Sequence, residues 1–254
     1  MRLLTATLRI YVDAARDAGK AFARGVWALI ALLACFGILV AARILVAPLG
    51  FFGGFLLAMI QAACAGTYLA CLRDALSSRR KMGPDVLRAS FAANMWDIIG
   101  VLFPIFLLEL LLGLLGAPWF VTLPVGIAIF LFLNPVPEMI GRVRTGGTDL
   151  LQDAGRFMMA NGPEWLAPQV LALAALWLAY PSRALQILDL FGPRFGFTDA
   201  GSLAVQSGAT GPIGWVIGFV LVALVHLVML FRGALYERLS GSGRRAREWE
   251  QRFR

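Results

Sequence analysis

The sequence predicts an all-α, polytopic integral membrane protein with six transmembrane helices, and three observations predict it. Six apolar stretches recur along the chain, each near the roughly 20 helical residues that cross a bilayer core of about 30 Å. Hydrophobic residues make up 59% of the 254, and the mean hydropathy is +0.77; soluble domains run at about 45–50% apolar. Third, the basic residues fall in alternate gaps between the stretches.

In order, the spans are read as Val26–Ala42, Leu49–Leu72, Ile98–Leu115, Trp119–Leu133, Trp165–Tyr180 and Pro212–Phe231. The fourth is short unless it starts near Ala117. Lys and Arg number five in segment 1–25, five in 73–97, three between the fourth and fifth spans, and seven from Arg232 onward. The other gaps hold only Arg43, Arg183 and Arg194. Basic residues stay on the cytoplasmic side, so both termini are expected there, which requires an even number of spans. A bacterial-type inner membrane is the expected location, and the first span reads as a retained helix, being too long for the apolar region of a signal peptide.

The whole chain, 1–254, reads as one membrane-embedded unit. Segment 1–24 sets Leu4, Leu8, Tyr11, Val12, Ala15 and Phe22 against Arg2, Arg9, Asp13, Arg16, Lys20 and Arg24, the pattern of an amphipathic interfacial helix. The first two spans follow in 26–72. In 83–133 an interfacial helix, with Pro84 in its first turn and a stripe of Val86, Leu87, Ser90, Phe91 and Met95, precedes the third and fourth spans. In 148–231 a third such helix, over 148–160, precedes the fifth and sixth spans; Asp149 and Gln152 have capping-box spacing. Residues 232–254 form a basic cytoplasmic tail. Loop 181–211 is too apolar for free solvent, and an interfacial or partly re-entrant course is expected. Small residues at Gly50, Gly54, Ala58, Ala62, Gly66, Gly214 and Gly218 have the spacing that lets helix backbones approach.

Ionisable groups inside spans are the first candidates for function, because their desolvation demands a partner or a purpose. Glu109 sits within a run of leucines, about 17 Å from the cytoplasmic edge at 1.5 Å per residue. Arg43 lies about 25 Å along the first span by the same rise, and a pair with Glu109 is sterically open to it. His226, the one histidine, is expected as a hydrogen-bonded packing residue, with a gate or proton sensor as the alternative. Asn134-Pro135-Val136-Pro137-Glu138 must stop or distort the fourth span, because neither proline carries an amide proton. The stretch reads as a helix stop or hinge at the cytoplasmic mouth, with an exposed backbone between Asn134 and Glu138. Arg79, Arg80, Lys81 and Phe91, on the basic loop and at its end, are candidates for docking a partner.

Absent motifs narrow the classes. No Walker A, HExxH or GxSxG occurs, so no catalytic, metal or cofactor site is indicated and an enzyme is not expected. Cys35, Cys64 and Cys71 all fall in spans with no CxxC, the pattern of small packing residues. The net charge of +8 flanks spans, where it meets headgroups, and nucleic acid is not an expected partner. In layout the chain resembles the six-span permeases of the ATP-binding-cassette exporter type. An N-terminal elbow helix, a basic loop after the second span, short early external turns and a longer apolar loop before the sixth carry the resemblance. It implies the membrane component of a transport system, partnered by a cytoplasmic nucleotide hydrolase or another membrane subunit. The alternative is a structural or assembly subunit, or a lipid-organising protein, associating through its small-residue faces with other subunits or with copies of itself.

Overall fold

The computed structural model describes residues 2–77, 83–142, 147–179, 192–199 and 211–241. Among them all regular structure is helical. The helices are α1 (Arg2–Arg24), α2 (Val26–Val46), α3 (Phe51–Ser77), α4 (Pro84–Ala89), α5 (Met95–Leu114), α6 (Trp119–Leu133), α7 (Val136–Met139), α8 (Thr148–Ala179) and α9 (Gly211–Ser240), with 3₁₀ turns at Ala47–Leu49 and Gly196–Asp199. Arg79, Arg80 and Lys81 lie outside the described residues, as do most of loop 181–211 and the tail beyond Gly241.

Five stretches are long and apolar enough to cross a membrane: Val26–Leu49, Phe52–Ser77, Met95–Leu114, Trp119–Met139 and Gly218–Ser240. The last runs past the expected end at Phe231, so Arg232 belongs to a helix and not to a tail. The expected break between an interfacial helix at 148–160 and a span from Trp165 is also absent. Helix α8 continues through Pro163 and Pro168 as one 32-residue helix, about 48 Å long at 1.5 Å per residue. Its first turn holds Asp149, which therefore lies within the helix and not at a capping position. Pro168 has no N–H to give the Glu164 carbonyl. The Tyr11 hydroxyl donates to that carbonyl instead, at 2.7 Å. Burial first, then the Glu164 charge, raises the Tyr11 phenol above its ordinary range, so it remains a donor.

Helix α4 is shorter than its periodicity predicts. It ends at Ala89, and the chain turns through Ala92 at φ +52. Two contacts fix that turn. The Ala92 N–H donates to Thr67 Oγ1 at 2.9 Å, and Thr67 Oγ1 donates to the Ala63 carbonyl at 2.7 Å. Gly66 makes room for the same turn: a Cβ there would stand 3.1 Å from the Asn94 carbonyl carbon and the Met95 nitrogen. The turn leaves Phe91 71% exposed.

Helix α1 packs along α9, with α3 beside it. The buried stripe is Ala14, Ala18 and Ala21, one turn apart, and small enough for close helix approach. This differs from the expected apolar face, because Leu8 and Val12 of that face stay exposed. The helix therefore has three sectors: small residues packed, Leu8 and Val12 outward, and Arg9, Arg16 and Lys20 on the polar side. Arg238 of α9 fixes the register through ion pairs to Asp13 (3.3 Å) and Asp17.

Helix α2 lies along α3, and α3 packs on α5. Of the small-residue series on α3, Ala62 and Gly66 are buried while Gly54 and Ala58 are exposed. Burial is uneven between the spans. About half of the apolar window is buried for α3 (56%) and α9 (50%), against 17% for α5 and for α6. The densely packed core gathers where α1, the first part of α2, the second half of α3, the first half of α5, α7, the first part of α8 and much of α9 meet. Away from it, α5 and α6 present Phe103, Phe106, Leu111, Phe120, Leu123 and Ile127 outward, surface that suits hydrocarbon and not water.

Candidate functional site

Helix α6 ends at Leu133, and the break that follows is stapled from two sides. Glu138 and Met139 both turn their N–H groups to the Pro135 carbonyl, at 3.1 and 3.2 Å, which leaves the Asn134 carbonyl for another donor. Arg232 supplies it. Its Nη2 donates to the Asn134 carbonyl at 2.7 Å and to Asn134 Oδ1 at 3.3 Å. Its fork is also bidentate on Glu138, with Nε to Oε1 at 2.6 Å and Nη2 to Oε2 at 3.0 Å. From α8, Trp165 Nε1 donates to Asn134 Oδ1 at 2.7 Å, and the guanidinium carbon of Arg232 lies 5.3 Å from the Trp165 ring centroid. Phe157, Trp165 and Tyr236 close an aromatic wall around the pair.

Arg232 is 1% exposed and Glu138 2%. A pair this deep holds only because the fork geometry and the added hydrogen bonds offset the desolvation of both charges. The expected exposed backbone at this mouth is therefore corrected. Asn134, Pro135, Val136, Pro137 and Glu138 are all buried, because Arg232 fills the gap that the prolines open. Arg232 is the residue of this site that pattern reading misses, since it directly follows the apolar run and counts there as a flanking charge. The signal was the break itself: freed carbonyls beside a carboxylate call for a multidentate cation.

A second polar contact sits in the same core. His226 is fully buried, with Nδ1 3.0 Å from the Tyr68 hydroxyl. Phe22 lies 5.6 Å from the His226 ring, and Phe197 lies 5.1 Å from the Tyr68 ring. Phe197 and Phe195, both fully buried, bring segment 192–199 of the apolar loop inward against α2 and α3.

That segment also reaches Glu109. The ion-pair partner of Glu109 among the described residues is Arg194, not the expected Arg43. Depth counting gave position along a helix but could not foresee a loop cation brought inward. Beside the pair, α6 residues including Trp119, Thr122, Leu123, Gly126 and Ile127 line a cavity of about 650 Å³ with Pro193 and Arg194. The structure thus separates the predicted residues into three places. Asn134, Pro135, Pro137 and Glu138 join Arg232 in the staple, Glu109 pairs with Arg194 of the cavity lining, and His226 lies with Tyr68. Arg43 lies near the end of α2, exposed Phe91 follows α4, and Arg79, Arg80 and Lys81 fall outside the described residues.

The fold and these sites define an all-helical protein whose apolar helices are those of an integral membrane protein, with ion pairs set into its span ends and interior. Comparison with known protein families, with curated proteins and with solved structures finds no match for this chain.

Proposed function

We propose that this chain is the non-enzymatic, permease-like membrane component of a transport system, working with a soluble or membrane partner. The observation that carries the reading is the Glu109–Arg194 pair beside the cavity along α6. An ion pair in an otherwise leucine-rich span is costly, which makes its members functional candidates by default. A segment that dips inward to supply one partner is the kind of irregular backbone tolerated only against protein or a water-filled cavity.

Six crossings with both termini cytoplasmic belong to the same proposal, and a parity argument supports them. Asp13 and Asp17 of α1 pair with Arg238 near the end of α9, so those two segments share one end of the molecule. Five crossings between them would place them on opposite sides. Helix α8, about 48 Å long by its rise, supplies the sixth.

The test is affinity capture of the tagged full-length protein from its native membrane in mild detergent, with partners identified by mass spectrometry. Stoichiometric recovery of a soluble nucleotide hydrolase supports a permease. Recovery of other membrane or envelope proteins without one would replace this reading with that of an assembly subunit. The outward apolar faces of α5 and α6 favour that second reading, since they offer area to a neighbouring subunit as readily as to lipid.

A further inference from the structure

A second cavity, of about 580 Å³, lies where α3 and α9 end and is lined by Arg73, Ser77, Arg142, Tyr236, Glu237 and Ser240 beside Gly141. Its size is within the range of about 300–1,000 Å³ typical of small-ligand sites. Two guanidinium groups face one carboxylate, and three hydroxyls complete the lining. Positive charge and hydrogen-bond donors dominate it.

The arginines are held in place. Arg73 Nη1 donates to the Gly141 carbonyl, and Arg142 Nη1 donates to Glu237 Oε1. The Arg142 guanidinium carbon sits 5.8 Å from the Tyr236 ring centroid, and its side chain is 13% exposed. Each guanidinium has five N–H donors in a fixed fork. The described hydrogen bonds use only Nη1 of each, so they orient the forks without exhausting them. The turn between the two is built around this arrangement. Gly141 has φ +70, and a Cβ there would stand 2.6 Å from Arg73 Nη1. A larger residue would therefore push the Arg73 fork away from the turn.

Ser77 and Ser240 are the last residues of the spans Phe52–Ser77 and Gly218–Ser240, which sets the cavity at headgroup level. Basic pockets between helices at that level suit anionic headgroups, and paired arginine forks match the oxygens of a phosphate. We propose that this cavity binds a phosphate group, the headgroup phosphate of an anionic phospholipid or a free phosphate, held by Arg73 and Arg142 with Ser77 and Ser240 as hydroxyl donors. The assignment does not rest on a transport role, because it concerns the other cavity and other residues.

Native mass spectrometry of the full-length protein in detergent, titrated with phosphatidylglycerol and in parallel with phosphatidylcholine, tests it. One saturable phosphatidylglycerol is expected, weakened about tenfold by Arg73→Gln or Arg142→Gln, with phosphatidylcholine binding unaffected. Competition by millimolar inorganic phosphate would support the site and assign it to a free phosphate; absence of competition would assign it to the lipid. Equal binding of both probes by wild type and by folded variants overturns the proposal. Should the arginine variants lose helical circular dichroism, the Ser77→Ala/Ser240→Ala double variant decides on the same readout. A loss of about threefold or more supports the site, and no loss overturns it.

Discussion

At Arg232 three separate backbone and side-chain demands meet in one guanidinium. Removing one partner strands the other in a dry core, so Arg232→Met is expected to destabilise by about 3–5 kcal/mol, and Glu138→Gln by a smaller amount because it leaves a neutral amide. The double change Glu138→Met/Arg232→Met should cost much less than the sum of its single changes, since no charge is then left buried. Thermal unfolding of the purified protein in detergent measures all of these, and additive losses would mean that the two residues do not act as a pair. Trp165→Phe keeps the ring wall but removes the Nε1 donor to Asn134. Its expected loss is about 1 kcal/mol. If the proposed transport role holds, Glu109→Gln, which breaks the pair with Arg194 beside the cavity along α6, should leave expression intact and abolish transport. Loss of folding instead, recovered by combining it with Arg194→Gln, would make the pair structural.

At the scale of elements, the loop from α4 to α5 shows how one hydroxyl can end a helix. Periodicity alone continues the helix through Phe91 to Met95, yet Ala92 adopts a positive φ and gives its N–H to Thr67 on α3. A non-glycine residue in that region carries about 1–2 kcal/mol of backbone strain. Ala92→Gly is therefore expected to raise the unfolding temperature. Thr67→Val, which leaves the Ala92 amide without its acceptor, should lower stability by about 1–3 kcal/mol, and Thr67→Ser should largely preserve it. An unchanged Thr67→Val midpoint would show that the turn is held by Gly66 packing and not by the hydroxyl.

Over the whole molecule, packing is concentrated at the basic end and thins along α5 and α6. A bilayer explains this division physically: lipid tails are as apolar as leucine, so surfaces within the hydrocarbon need no burial, whereas helix ends in the interface do. Under the proposed six crossings, the α1–α9 clamp through Arg238 puts positions near Asp17 and Ser240 on one side of the membrane. Single cysteines at Arg16 and Ser240, in a background whose Cys35, Cys64 and Cys71 are replaced by alanine, should react with an impermeant maleimide from the same face. Labelling from opposite faces would leave an odd number of crossings and remove α8 as one of them.

Composition and the spacing of apolar runs determined the helical class, most of the spans and the chemical oddity of Asn134–Glu138, because length and hydropathy are local properties that a bilayer reads directly. Glu109 was conspicuous for the same reason, a charge where hydrocarbon is expected. Tertiary structure alone decided which partners answer these groups. Arg194 reaches Glu109 because a loop turns inward, and Arg232 reaches Glu138 from 94 residues away because α9 runs on past its apolar stretch. It also decided that α8 continues through Pro168, since Tyr11, on a distant helix, takes the carbonyl that this proline leaves free. Local pattern fixes where a polar group sits along a helix, while the identity of its partner depends on which helices touch.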